Sequence, residues 1–459
     1  MTVSTILRRI YGSEALAAHN YGTTLTSLGF AGTIVGMLTF GWFSDKMGRK
    51  VGMMAASGIV VLFSGLSAAS TGTSVDDGIY SFMLGIGVGA EYPCGSVAAS
   101  EQSEEDHINK KAQHRWLALA TNHMIVWGFA TASLVPLILV VIFGNHHLRA
   151  VWRLSLGLGI VPAFVVFIWR LSMDEPTRYK KDSMKHAKIP YTLVLRRYGW
   201  SLLGISIVWL LFDFIIYPFG LYASVILNDL TGGSEDLRII FGWNVVINLF
   251  YIPGAMGGAF MIDYIGPKWT MVIFSASAAL QGSNFAQYSA SDSQIIGLLC
   301  QAVVGFLMSS LYAKLTKHIA AFAIMYGLFL SFSSVGPGNN TIVLASKTSP
   351  TAIRGQYYGV AAAAGKVGAF IAFPPMIKAF GGSQSERGNT GPFWVASGLA
   401  ILSAIITLFL KPLDEEGLAR EDEKFREYLE ANGYDTSAMG LRPSESDSEK
   451  GSLEQKGRE

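Results

Sequence analysis

Residues 41–50 read Gly41-Trp42-Phe43-Ser44-Asp45-Lys46-Met47-Gly48-Arg49-Lys50, and residues 263–268 repeat part of them as Asp263-Tyr264-Ile265-Gly266-Pro267-Lys268. Both stretches share the pattern Asp-x-x-Gly-x-Lys, and both follow an apolar run. A glycine lets two helices approach closely, an aspartate accepts hydrogen bonds from a neighbouring helix terminus, and basic residues hold a loop at the membrane surface. A single copy indicates only an anchoring loop. Two copies at matching places predict a chain built from two related halves.

The composition is that of a polytopic membrane protein. Of the 459 residues, 51% are hydrophobic and 15% are charged, whereas soluble domains carry about 25% charged residues. The net charge of +2 provides no basic field for nucleic acid. Both cysteines lie in apolar runs, so no disulfide framework is expected. We find no nucleophile–base pair, metal-ligand cluster or cofactor loop, so we expect no enzyme activity, no metal and no cofactor.

Eleven apolar runs are long enough to cross a bilayer. They are 22–44, 51–71, 79–100, 117–143, 151–172, 201–228, 239–262, 295–312, 319–346, 352–380 and 391–411. Lysine and arginine concentrate in alternate loops, which the positive-inside rule places in the cytoplasm. The chain is thereby divided into five parts: an extracellular segment (1–21), a bundle of five spans (22–172), a cytoplasmic linker (173–200), a bundle of six spans (201–413) and a tail (414–459). The tail is acidic and poor in apolar residues, so we expect it to be disordered in the cytoplasm.

The repeated loop is similar to that of the major facilitator superfamily, which implies two helical bundles around a central cavity. Residues 85–93 and the pair Gly365-Lys366 resemble the phosphate:proton symporter branch. Residues 91–99, 250–255, 336–340 and 354–359 resemble the fungal glycerophosphoinositol permeases more closely. The resemblance assigns a conformational role to the loop residues Gly41, Asp45, Lys46, Gly48, Arg49, Asp263 and Gly266.

Two departures from that family stand out. Its members have twelve spans, and their first helix has no counterpart here, so we expect eleven. Residues 272–294 also interrupt the resemblance, and we interpret them as an insertion, with a translated intron as the hypothesis.

Three ionisable residues lie near the centres of predicted spans, namely Glu91, Asp213 and Lys366. A charge at that depth costs about 2.5–3.5 kcal/mol on insertion scales. We therefore expect these side chains to face a cavity or one another, and the alternative is an ion pair that only fixes helix packing.

Trp209, Asp213 and Tyr217 follow one another at intervals of four residues, which places them on one helix face. The family resemblance implies that this face lines the substrate site. The predicted substrate-binding residues are Tyr92, Trp209, Asp213, Tyr217, Asn339 and Lys366, and the predicted proton-coupling residues are Glu91, Asp213 and His123. The alternatives are a core histidine at His123 and a helix-kink cap at Asn339. Asn244 and Asn248 either face the cavity or join helices.

The resemblance implies a proton-coupled symporter that imports an organic phosphate anion, with a glycerophosphodiester such as glycerophosphoinositol as substrate. Its partners would be that anion, protons and the lipid bilayer, and we expect a monomer in the plasma membrane. A symporter for inorganic phosphate or another organic anion is the nearest alternative. A nutrient sensor that does not transport and an inactive fragment are alternatives of another kind.

Overall fold

A computed structural model describes residues 2–12, 21–70, 75–105, 108–230, 236–264, 290–372, 386–410 and 417–440. Within these ranges every regular element is a helix. A short helix α1 (Thr2–Tyr11) comes first. The helices of the first half are α2 (Tyr21–Met47), α3 (Arg49–Ala69), α4 (Val75–Glu91), α5 (Val97–Gln102), α6 (Gln113–Ala118), α7 (Met124–Phe143), α8 (Leu148–Gly157) and α9 (Ile160–Leu171).

The second half follows the short helix α10 (Thr177–Asp182). Its helices are α11 (Tyr191–Leu230), α12 (Leu237–Leu249), α13 (Tyr251–Tyr264), α14 (Ala290–Ser310), α15 (Tyr312–Leu315), α16 (Ile319–Ser333), α17 (Asn339–Lys347), α18 (Arg354–Ala372), α19 (Glu386–Thr407) and α20 (Gly417–Ala431). Each of the eleven predicted spans overlaps one or two of these helices, and residues 373–380 and 411 of the last two spans lie outside the described part of the chain. In the described part of the chain, eight segments have the length and apolar character needed to cross a membrane.

Three helix pairs are joined by single π-helical turns. The turns are Tyr92–Ser96 between α4 and α5, Leu119–His123 between α6 and α7, and Ser334–Gly338 between α16 and α17. The first and third contain Pro93 and Pro337, whose missing N–H interrupts the regular hydrogen-bond ladder. Such turns are frequent at functional sites because they redirect the side chains around them.

Helices α2 and α4 are packed through glycine. A Cβ atom at Gly32 would lie 2.0 Å from the carbonyl oxygen of Phe82, and one at Gly89 would lie 2.1 Å from that of Thr33. Membrane helices lack a hydrophobic force between them, so such small residues provide the close contact that holds them together. By contrast, α9 has no buried side chain, and its exposed apolar residues suit a lipid-facing surface.

The charged end of the bundle, defined by Asp45, Arg49, Glu101 and Arg354, holds the two halves together. Arg49 lies 2.7 Å from Asp45 and 2.9 Å from Glu101, and Arg354 lies 2.9 Å from the same Glu101 oxygen. All four side chains are fully buried or nearly so. Because α2, α3 and α5 belong to one half and Arg354 begins α18 of the other, this network closes the charged end between them.

The predicted loop motif supplies much of this closure. The Asp45 carboxylate accepts hydrogen bonds from the backbone N–H of Gly355 at 2.8 Å and of Gln356 at 2.9 Å. Lys46 donates to two carbonyls of the segment between the halves, and Gly48 has a φ of 117°, which favours glycine. Gly266 lies outside the described residues, and only the backbone of Asp263 is described.

The expectation that residues 414–459 form a tail without a packed core is wrong for residues 417–440, here named the clasp. In α20, Leu418, Phe425 and Leu429 are fully buried. Asp422 accepts hydrogen bonds from the backbone N–H of Thr351 at 2.5 Å and its hydroxyl at 2.7 Å. The clasp is ordered because its few apolar residues share one helix face.

The clasp also contacts the first half and the segment between the halves. The backbone N–H of Leu418 donates to Glu104 at 2.9 Å, and Arg426 donates to Asp182 at 2.9 Å. Tyr434 donates to the carbonyl of Lys188. The clasp therefore bridges both halves at the charged end.

Two further predicted segments, residues 1–21 and 272–294, are partly described by the structure. Ile6 and Leu7 of α1, expected in an extracellular segment, belong to the same buried cluster as Val151 and Trp152. Of the suspected insertion at 272–294, residues 272–289 lie outside the described part of the chain, and 290–294 form the first turn of α14.

Candidate functional site

A cavity of about 310 Å³ lies between the two halves. Helices α7, α11, α12 and α18 contribute to its wall, and so does each of the three π-helical turns, through Tyr92, Asn122, Ser334 and Gly338. The volume is at the lower end of the range for sites that hold drug-sized ligands. The cavity is therefore large enough for a small organic solute.

Lys366 is the cation of this cavity. Its Nζ atom lies 2.7 Å from Oδ2 of Asp213 and 2.5 Å from the hydroxyl oxygen of Tyr217. The same atom lies 5.2 Å from the ring centre of Tyr92 and 4.1 Å from that of Tyr217. Lys366 and Asp213 are 4% and 2% exposed, so their charges compensate each other in a site with little water.

The aromatic residues hold this ion pair in place. Trp209 packs edge-on against Tyr358 with ring centres 5.3 Å apart, and its ring centre lies 6.5 Å from that of Tyr92. Gly365 makes room for the indole, because a Cβ atom there would lie 2.4 Å from Cδ1 of Trp209. Glycine immediately before the lysine is thus a steric requirement of the site.

The structure brings together Tyr92, Trp209, Asp213, Tyr217 and Lys366 among the predicted site residues. It places Asn339 behind the wall: its side chain is fully buried, accepts from Nδ2 of Asn122 at 2.8 Å and donates to the carbonyl of Ala255 at 2.8 Å. Asn339 therefore joins the two halves through Asn122, which does line the cavity.

Glu91 and His123 do not line the cavity, although each is next to a residue that does, Tyr92 and Asn122 respectively. Glu91 forms two hydrogen bonds with Arg170 of α9, at 2.5 and 2.7 Å. The Nε2 atom of His123 accepts from the indole of Trp127 at 3.0 Å. Arg170 lies at the end of its span, where basic residues are common, so its position in the sequence does not indicate a partner for Glu91.

Several lining residues were missed from the sequence, including Phe129 and Ser133 of α7. They follow Asn122 at intervals of seven and eleven residues, which places all three near one helix face. That spacing was the available signal. In the described part of the chain, no group of three His, Cys, Asp or Glu side chains is arranged to hold a metal ion.

Known proteins share both this sequence and this architecture. The family described as Sugar (and other) transporter matches residues 8–188. A glycerophosphocholine permease of Candida albicans is 40% identical, with 96% of this chain and 80% of the relative covered. The major glycerophosphoinositol permease of the same yeast is 37% identical, with the same coverage.

The chain belongs to the major facilitator superfamily, in the branch of the fungal glycerophosphodiester permeases. The fold agrees: the proton:xylose symporter XylE of E. coli superposes with a TM-score of 0.68 over 92% of this chain and 93% of its own, at 17% identity. The predicted all-α polytopic fold is confirmed. The chain is an integral membrane transporter and not an enzyme.

Proposed function

We propose that this transporter is a proton-coupled symporter that imports a glycerophosphodiester across the plasma membrane, with Lys366 as the counter-ion of the phosphate. The single observation that supports this most is the Lys366–Asp213 ion pair, 2.7 Å long, on the wall of the central cavity. A lysine ammonium binds phosphate as a compact point charge. The hydroxyl of Tyr217, next to the ammonium, supplies a neutral donor to the same anion.

The proton follows from the charge balance of the site. In the empty cavity the ammonium of Lys366 and the carboxylate of Asp213 compensate each other. A phosphodiester carries one negative charge. When it forms an ion pair with the Lys366 ammonium, the buried Asp213 carboxylate loses its counter-ion. A buried carboxylate without a partner binds a proton. One anion and one proton then occupy the site with the same net charge as the empty cavity, so the two move together.

Among the three predicted carriers, we assign the proton to Asp213 alone. Glu91 is held by Arg170, and His123 does not line the cavity. The cavity volume favours a diester over inorganic phosphate, which would leave most of the space beside Lys366 unfilled. The closed charged end fits a state that receives substrate from the opposite side, and release into the cell then requires the Asp45, Arg49, Glu101 and Arg354 network to open.

The test is uptake of labelled glycerophosphoinositol into proteoliposomes at external pH 5 and 7.5. We expect the wild-type protein to accumulate the label faster at pH 5 and Lys366→Ala to lose at least nine-tenths of that rate. Lys110→Ala is the matched control, because Lys110 is exposed and distant in sequence from every lining residue. Uptake by Lys366→Ala equal to that of the wild-type protein would overturn the proposal, and labelled phosphate as sole substrate would support the inorganic alternative.

A further inference from the structure

The first turns of α11 present a basic side chain that makes no contact within the molecule. Arg196 is exposed, and it has no hydrogen bond, ion pair or ring contact with any residue that the structure describes. Its neighbour Arg197 is engaged instead: its Nε atom donates to the hydroxyl of Tyr198 at 3.2 Å, and its guanidinium carbon lies 4.9 Å from the ring centre of Tyr428 in the clasp. Arg196 therefore offers an unpaired positive charge to its surroundings.

Arg196 lies on the face of α11 that contacts lipid. Residues 196, 200, 203 and 207 share one side of the helix, and Trp200, Leu203 and Ile207 are all exposed, Trp200 to 85%. They belong to the segment Tyr191–Gly220, which is apolar and long enough to cross a membrane. Acyl chains cover exposed apolar side chains on such a segment. The face thus continues from lipid contact at Leu203 to a charge at Arg196.

The depth of this face in the membrane follows from the neighbouring helix. Helix α19 ends at Thr407, and a Cβ atom at Gly204 would lie 2.7 Å from Cδ2 of Leu410, so α19 leaves the membrane near the level of Gly204. Trp200 is one turn farther out, and tryptophan is enriched at the boundary between acyl chains and headgroups. Arg196 follows about 6 Å beyond Trp200, within a headgroup layer about 5–8 Å thick. The guanidinium is therefore at the level of the lipid phosphates.

The clasp fixes the helix end that carries Arg196. Tyr428 donates to the carbonyl of Leu193 at 3.4 Å, and Tyr434 donates to the carbonyl of Lys188. Leu193 lies in the first turn of α11, directly before the turn of Arg196. A backbone that is already held in place loses little conformational entropy when a ligand binds to it.

We propose that Arg196 and Trp200 form a binding site for an anionic phospholipid of the membrane leaflet at the charged end. The guanidinium binds the lipid phosphate through parallel N–H groups, the indole lies at the glycerol level, and one acyl chain follows Leu203 and Ile207. A choline lipid is a poorer ligand because its own ammonium compensates the phosphate. The site lies outside the cavity, so it does not depend on the proposed function.

The experiment measures lipid binding to the purified full chain by native mass spectrometry. Dioleoylphosphatidylglycerol is the anionic lipid and dioleoylphosphatidylcholine is the zwitterionic one. The variants are Arg196→Gln, which removes the charge and keeps a polar side chain, and Trp200→Ala. Lys110→Gln is the matched control, because Lys110 is an exposed basic residue of the first half. Size-exclusion elution of each variant reports whether it is folded.

We expect the wild-type protein to bind the first phosphatidylglycerol at least fivefold more tightly than phosphatidylcholine. Arg196→Gln should weaken phosphatidylglycerol binding about fivefold, the effect of one basic residue near an anionic surface, and change phosphatidylcholine binding less than twofold. Trp200→Ala should weaken both lipids by a similar factor, because the indole contacts the part that they share.

Two results would overturn the proposal. Equal losses of phosphatidylglycerol binding in Arg196→Gln and Lys110→Gln would show a diffuse attraction to basic residues without a site. Displacement of the bound lipid by soluble glycerol phosphate would show that the ligand is a free anion and that the acyl chains contribute nothing. Loss confined to Arg196→Gln, with no displacement by glycerol phosphate, supports a lipid site at this end of α11.

Discussion

Replacing Gly355 by alanine should open the charged end of the transporter. Gly355 is the second residue of α18, and its backbone crosses α2 of the other half. A Cβ atom there would lie 2.6 Å from the carbonyl oxygen of Gly41 and 2.7 Å from Oδ1 of Asp45. Both distances are well below van der Waals contact, and both involve atoms that are fixed by backbone or by a buried ion pair. The two helices must therefore separate.

The cost of that separation follows from the hydrogen bonds that it breaks. The Asp45 carboxylate accepts from the N–H groups of Gly355 and Gln356 at 2.8 and 2.9 Å, and a shift of several tenths of an ångström lengthens both beyond useful range. Hydrogen bonds to a charged group contribute about 1.5–3 kcal/mol each. The loss of two destabilises the closed state by about 3 kcal/mol or more, which changes the ratio of closed to open states by more than about a hundredfold.

The assay measures the distance between spin labels at the charged end by double electron–electron resonance. Labels are placed on cysteines at Lys110 in the first half and Arg196 in the second, which are both exposed. The native Cys94 and Cys300 are replaced by alanine in all samples. We expect Gly355→Ala to shift the distribution to longer distances.

The control is Gly398→Ala in α19, because a Cβ atom there would meet nothing within 4 Å. It should leave the distribution unchanged. A Gly355→Ala sample with the same distances as the wild-type protein would refute the reasoning, since it would show that the charged end absorbs the extra methyl group without opening.

Three further predictions concern single carboxyl groups. Asp213→Asn should abolish substrate accumulation driven by a pH gradient, while substrate exchange between the two sides of the membrane continues, because an asparagine amide cannot bind and release the coupled proton. Accumulation that persists in this variant would contradict the proton role of Asp213. Glu91→Gln should lower the thermal unfolding temperature by leaving Arg170 without its counter-charge, yet keep the pH dependence of transport, and loss of that dependence would return Glu91 to the proton path. Burial raises the pKa of Asp422 to about 6, above the value of about 3.9 in an unfolded chain, so its protonation favours clasp docking at low pH and that contribution disappears as the pH rises through about 6. Hydrogen-exchange protection of residues 417–431 should therefore be higher at pH 5 than at pH 7.5. Asp422→Asn should remove this difference. Equal protection of the wild-type clasp at both pH values would contradict the role of Asp422.

The sequence predicted the spans and most of the charged site, because membranes impose strong constraints on both. Twenty apolar residues are needed to cross the bilayer, and an ionisable group at the centre of a span must find a partner. Asp213 and Lys366 are each other's partner across the cavity. The four-residue spacing of Trp209, Asp213 and Tyr217 correctly placed three side chains on one wall.

What the sequence did not reveal depends on the relative rotation of helices. Glu91 met the same membrane constraint as Asp213, but its partner is Arg170 within the first half, and no periodicity indicates which helix faces which. Asn339 lies next to a π-helical turn, which rotates its side chain behind the cavity wall. The clasp was not predicted because three buried apolar residues in an acidic segment are too few to indicate a core. Two of them, Phe425 and Leu429, belong to the same buried cluster as Val194 and Tyr198 of α11.

The clasp has a consequence for how the molecule is made. Residues 417–440 follow every span in the chain, and so they leave the ribosome after all the membrane helices have been synthesised. Domains and segments generally fold in the order of synthesis. Yet the clasp contacts Glu104 of the first half and Asp182 of the segment between the halves. The segments that hold Glu104 and Asp182 are therefore synthesised long before the clasp that contacts them. In a nascent chain the charged end stays incompletely closed until synthesis has passed residue 440.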